Sequence, residues 1–228
     1  MAIARYLAMT AEEFASAQAL PGRVAWMACH FSPYSASLSN LPEKLPANSL
    51  LILNDSTPPS HQNPEFVAKT LETIQKEWDC CAILLDFQRP GCQETRKITE
   101  ELVTLDFPVC VSECYARDLE CPVFLPPLPL TVPLFDYIRP WKGREIWLDA
   151  ALSCEQITVT DQGSSVKPTE FIQCPFSDQE LHCHYRIEKK DDSFIFTLQR
   201  TKDDLNDLLA EADNMGITAA VGLYQELK

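Results

Sequence analysis

Apolar segments with strand character recur along this chain, and amphipathic helical segments stand between most of them. Parallel strands are buried on both faces and need a long crossover to return the chain, so this alternation predicts a parallel sheet covered by helices. Eight strands are expected, over residues 3–9, 24–30, 50–53, 81–86, 109–112, 123–125, 145–148 and 218–223. Eight βα units close on themselves, which makes the expected fold an α/β protein of the (β/α)8 TIM type.

The helical segments carry their own boundary signals. Thr10 is placed to cap a helix over residues 11–20, with Glu12 and Glu13 at its positive end. Pro64 opens another at its first turn, where a missing N–H costs nothing, and Phe66, Val67, Thr70, Leu71 and Ile74 mark its expected buried stripe. Helices over 93–105 and 202–214 come later in the chain, the latter capped by Thr201 and ended by Gly216. Residues 31–48 form a Ser/Pro-rich stretch without period, so helices are expected to be short or missing after the second and fifth strands. Residues 153–200 break the alternation after the seventh strand and read as a β-rich insertion. Within it HCHYRIE, the turn KKDDS and FIFTLQR have the pattern of a hairpin. The expectation is one barrel domain over 1–228 with an inserted element at about 153–200, its mouth fixed by many of the 17 prolines, including those of PPLPLTVP.

A net charge of −14 repels phosphate backbones and anionic lipid surfaces, so neither nucleic acid nor a membrane is an expected partner. The start, MAIARYLAMTAEEF, lacks the layout of an export signal, and no stretch reaches the roughly 18 apolar residues of a membrane span. Several of the ten cysteines fall within apolar strands, and Cys110, Cys114 and Cys121 lack paired zinc spacing. Reduced thiols, a cytoplasmic location, and no metal or cofactor are therefore expected.

The fourth strand and its exit read Cys81-Ala82-Ile83-Leu84-Leu85-Asp86-Phe87-Gln88. Here the chain resembles the chitinase-like glycoside hydrolases of family 18, whose fourth barrel strand carries Asp-Gly-x-Asp-x-Asp-x-Glu. Cys81, Ala82 and Leu84 replace the first Asp, the Gly and the second Asp; Asp86 is kept, and Gln88 stands at the proton-donating Glu. The end of the chain has the same plan, an insertion, a helix, a glycine turn and a last strand. Gln225 stands at the Trp of the family's closing Trp-Glu-Leu, and Glu226-Leu227 match its Glu-Leu. The resemblance implies a sugar site in which the Glu protonates the glycosidic oxygen and the Asp orients the substrate acetamido group. An amide has no labile proton to give, so Gln88 removes the central step.

Functional groups of such barrels gather where strands end on the C-terminal face. That rule selects His30, Asn54, Asp55, Asp86, Gln88, Arg89, Glu113, Tyr115, Asp149, Tyr224 and Glu226. Leu84, Asp86 and Gln88 share a strand face, so Asp86 and Gln88 are expected to point into the barrel mouth. Each has a structural alternative: an Asp86–Arg89 ion pair, a solvated loop carboxylate at Glu113, backbone capping by Asp149, and turn formation by Asn54 and especially Asp55. His182, His184 and Arg186 lie two apart and are expected on the exposed polar face of the hairpin. The leading functional expectation is a catalytically degenerate barrel that holds a carbohydrate at its mouth. The alternatives are a glycoside hydrolase using Asp86 with Glu113 or Asp149 as acid and base, and a structural or interaction protein.

Overall fold

The computed structural model describes residues 2–17 and 22–227. Its strands are β1 (Ala4–Met9), β2 (Val24–Phe31), β3 (Leu38–Ser39), β4 (Leu50–Asn54), β5 (Ala82–Asp86), β6 (Val109–Ser112), β7 (Val123–Leu125), β8 (Ile146–Asp149), β9 (Ser153–Thr160), β10 (Gly163–Pro168), β11 (Phe176–Asp178), β12 (Cys183–Lys190), β13 (Ser193–Arg200) and β14 (Ala219–Leu223). Eight of these pair in parallel in the order β1-β14-β8-β7-β6-β5-β4-β2, and β1 pairs with β2 to close the ring. The expected TIM-type barrel is the observed architecture. A bulge in β2 between Trp26 and Cys29 shifts its register against β4. The stretch read as irregular contains β3, which pairs antiparallel with the end of β2.

The helices are α1 (Ala11–Ser16), α2 (Pro64–Trp78), α3 (Gln93–Leu102), α4 (Glu113–Ala116), α5 (Leu134–Ile138), α6 (Lys202–Asn214) and α7 (Tyr224–Leu227). Thr10 closes a capping box on α1: its hydroxyl accepts from the Glu13 amide at 3.2 Å, and its own amide donates to Glu13 at 2.8 Å. Residues 18–20 of the expected first helix lie outside the described residues. On α2 the buried stripe is Val67, Ala68, Leu71 and Ile74, while Phe66 is exposed, so the true stripe is rotated from the expected one by part of a turn. The helix expected over 93–105 ends earlier, at Leu102.

The barrel lumen alternates large and small side chains. Tyr6 and Trp147 stack at 6.0 Å, surrounded by Ala8, Ala25, Ala82 and Ala219, and fill its N-terminal end. A second, larger core lies between the outward strand faces and the helices, around Leu51, Leu53, Ile83, Leu85, Leu71 and Leu208. No helix among the described residues is long and apolar enough to cross a membrane.

The insertion is a five-stranded antiparallel sheet in the order β10-β9-β13-β12-β11. Arg200, only 1% exposed, joins it to the barrel: its guanidinium donates to the carbonyls of His182 (3.2 Å), Leu128 (2.6 Å) and Leu181 (3.1 Å). The histidines correct a sequence expectation. His182 is buried, has a left-handed backbone (φ 47°) and precedes β12, with Nε2 2.6 Å from Glu211. His184 Nδ1 lies 2.9 Å from Asp204. Rather than an exposed polar face, the pair grips α6, because the carboxylates that partner them arrive from a helix distant in sequence.

Candidate functional site

Asn54, Asp86 and Asp149 are the last residues of β4, β5 and β8, all on the C-terminal rim. Strand alternation turns each toward the lumen, above Ile52, Leu84 and Trp147, which face the same way. Because the large residues fill the far end, the near end is left open as a cavity of about 850 Å³. Its floor is apolar, from Met27, Ile52, Leu84, Phe124 and Val221. Its polar wall is His30, Asn40, Asn54, Asp55, Ser56, Asp86, Gln88, Arg89 and Asp149. This mixture of an apolar floor and a few polar groups is the usual make-up of a small-molecule site.

The loop after β5 is held open by a scaffold of backbone bonds. Asp55, 4% exposed, accepts from the amides of Gln88 and Arg89, each at 3.0 Å. Asp55 is thus a brace across two loops, where the sequence favoured a local turn former. The local turn belongs to Asn54: its Oδ1 accepts from the Ser56 amide at 3.1 Å, while Nδ2 donates to the Met27 and Cys29 carbonyls freed by the β2 bulge. On the outer side Phe87 is buried between the rings of Phe31 and Tyr115. Ser112 accepts from the Phe87 amide and donates to the Leu85 carbonyl. With Phe87 pinned outward, Asp86 and Gln88 face the cavity.

Gln88 Nε2 donates to Asp86 at 3.1 Å. Arg89 turns away and donates to the Ser56 carbonyl at 2.7 Å; no Asp86–Arg89 ion pair forms among the described residues. Burial raises the Asp86 carboxyl above the ordinary carboxylate range, opposed by the Gln88 bond and reinforced by the charge of Asp55. Asp149 is pushed up to about 7, first by burial and then by the charges of Asp86 and Glu226. His30 bonds the Phe31 carbonyl through Nδ1 at 2.8 Å, and Nε2 lies 3.1 Å from the Asn40 amide. That pair of partners places the ring proton on Nδ1.

Four of the residues selected by sequence do not line the cavity. Tyr115 is 5% exposed; its hydroxyl donates to the Arg89 carbonyl and accepts from the Cys92 amide, so it buttresses the loop from behind. Glu113 begins α4, and its charge acts on Tyr137 of α5. Tyr224 begins α7, and Glu226 in the same turn accepts from the Leu152 amide at 3.1 Å, tying the chain end to the start of the insertion. Among the wall residues sequence reasoning missed Asn40: it comes from the β2–β3 connection, a stretch without periodicity, and only its left-handed backbone (φ 56°) marks it. The floor residues Ile52 and Phe124 were legible as inward strand positions. No group of three or more His, Cys, Asp or Glu among the described residues is arranged to hold a metal ion.

No family model matches the chain, and no curated protein matches it in sequence. Solved structures do. The spore cortex-lytic enzyme SleL of Bacillus megaterium QM B1551 superposes with a TM-score of 0.55 and 10% identity, over 99% of this chain and 71% of that one. SleL of Bacillus cereus gives 0.54 and 5%, over 100% and 72%. A C-terminal domain from Desulfitobacterium hafniense DCB-2, assigned as a chitinase, gives 0.53 and 9%, over 100% and 95%. Identities this low carry the fold, a closed eight-stranded TIM-type barrel, and nothing finer.

Proposed function

We propose that this barrel is a degenerate relative of the family-18 hydrolases that binds a sugar or sugar-like ligand at its mouth without the family's chemistry. The observation that carries this reading is the mouth cavity itself, in which an apolar floor meets Asp86, Gln88, Asn54, His30 and Arg89. A pyranose has the same division, an apolar ring face and a rim of hydroxyls, so it pairs with such a floor and wall. The loss of chemistry rests on Gln88: its amide donates to Asp86 but has no proton to transfer to a leaving oxygen. That the similar structures include enzymes named for cortex lysis and for chitin supports a glycan over other polar ligands. The proposed contacts are the residues on the cavity wall; Glu113, Tyr115, Tyr224 and Glu226 are left out of them.

The test is titration with N-acetylglucosamine oligomers, monitored by calorimetry and by backbone NMR. Saturable binding with shifts confined to residues around Asn54, Asp86 and Gln88, and weakened at least tenfold in Asp86→Ala, is expected. No binding up to about 10 mM, roughly −3 kcal/mol, removes the reading. A non-catalytic ligand barrel also differs from a purely structural one in this assay, since the latter leaves the wall resonances unmoved.

A further inference from the structure

Asp149 lines the cavity opposite Gln88 and Asp86, yet its carboxyl has no hydrogen-bond partner among the described residues. The other amide and ionisable side chains of the wall are each held by one: Asn54 by the bulge carbonyls, His30 by Phe31 and Asn40, Asp55 by the Gln88 and Arg89 amides, Asp86 by Gln88, Arg89 by Ser56. The charged groups that bear on Asp149 are the carboxylates of Asp86 and Glu226. Others stand around it: Glu113 and the Tyr137 hydroxyl from the α4 and α5 side, Asp55 braced on the loop amides, Arg89 turned onto Ser56, and His30 on the far wall. With no cation among the described residues acting on it, a half-buried carboxyl in the field of two carboxylates is cheapest when neutral.

From this geometry we infer that Asp149 is the specificity-determining residue of the mouth, a protonated hydrogen-bond donor that selects uncharged ligands offering an acceptor oxygen, such as the hydroxyl or acyl oxygens of a neutral sugar. The inference rests on the ligand-binding reading above and names the chemistry of its ligand. The shift of Asp149 to about 7 agrees with it. A ligand ammonium placed there has the opposite signature, because it favours the ionised carboxylate and binds more tightly as pH rises. An acceptor oxygen needs the proton and is released as pH rises.

Two measurements test it. The first tracks the carboxyl carbon of Asp149 by NMR in the ligand-free protein, comparing with Asp149→Asn for assignment. A midpoint near 7 is expected, and a midpoint below about 5 overturns the inference whether or not any sugar binds. The second measures Kd for triacetylchitotriose from pH 5.5 to 8.5. Affinity is expected to be flat below pH 6 and to fall by up to about tenfold per unit above 7. Asp149→Asn, a neutral side chain that still donates, is expected to bind with no such fall, and His61→Gln, an exposed histidine outside the cavity, to keep the wild-type profile. An unchanged slope in Asp149→Asn, or affinity that rises with pH, overturns the inference while leaving sugar binding intact. Absence of binding by every form, with an Asp149 midpoint near 7, sinks the ligand reading instead and with it the assignment of specificity.

Discussion

Gln88 Nε2 sits 3.1 Å from the Asp86 carboxylate, and both side chains are aimed at the cavity because Phe87 between them is clamped outward by Phe31 and Tyr115. Under the proposed family-18 relationship this position would carry an acid, and an amide locked onto its neighbour supplies none.

The protein is therefore expected to give no turnover of fluorogenic N-acetylglucosamine oligomers above the buffer rate. Gln88→Glu restores a titratable group but not the missing acid at Leu84 or the missing Trp at Gln225, so its activity is expected to stay near background. Wild-type turnover that vanishes in Asp86→Ala contradicts this.

Gly222 lines the cavity where β14 passes β8. A Cβ there meets the Ala150 carbonyl at 2.3 Å and Leu227 Cδ1 at 2.5 Å, and the carbonyl is backbone with no room to retreat. Gly222→Ala is expected to lower unfolding free energy by about 2 kcal/mol, with a matching fall in Tm. A neutral effect in thermal denaturation contradicts the close approach of β14 to the start of the insertion.

Arg200 is a buried cation whose pKa is lowered by burial and which serves three carbonyls on two separate loops. Arg200→Met keeps bulk but leaves those carbonyls short of donors, a loss of about 2 kcal/mol. Limited proteolysis should then cut first within 153–200. Equal cleavage rates in wild type and variant rule out the clamp.

Asp149 also links stability to pH. An unfolded Asp titrates near 3.9, whereas Asp149 holds its proton in the fold to about 7, so the folded chain binds more protons between these values. Stability from this group falls as pH rises through that window and is level above it. Asp149→Asn is expected to match wild type near pH 4 and to exceed it by ~2 kcal/mol at pH 8, after allowance for solvent in the open mouth. Chemical denaturation at the two pH values reads the difference directly.

All ten cysteines are unpaired; six are buried as small apolar groups, and four of those six, Cys29, Cys110, Cys154 and Cys183, lie in strands. Labelling in denaturant without reductant is expected to find ten free thiols per chain. Recovering fewer than about half contradicts this arrangement.

Periodicity alone determined the barrel, because a strand buried on both faces is written as a continuous apolar run and its helix as a 3.6-residue stripe. The same local rule placed Asp86, Asn54 and Asp149 at strand ends and turned Asp86 and Gln88 inward, as observed. The features the sequence left open depended on partners far along the chain. Asp55 became a brace only because β5 delivers the Gln88 and Arg89 amides beside it. His182 and His184 became a clamp only because α6 returns with Glu211 and Asp204. Tyr115 left the site because its hydroxyl is drawn behind the loop to Arg89. Asp149 acquired its character first from burial in the closed barrel and then from the charges of Asp86 and Glu226, one three strands away around the ring and the other near the end of the chain. A residue's direction is set by its own strand, but its charge and its role are set by the groups that the closed barrel brings near it.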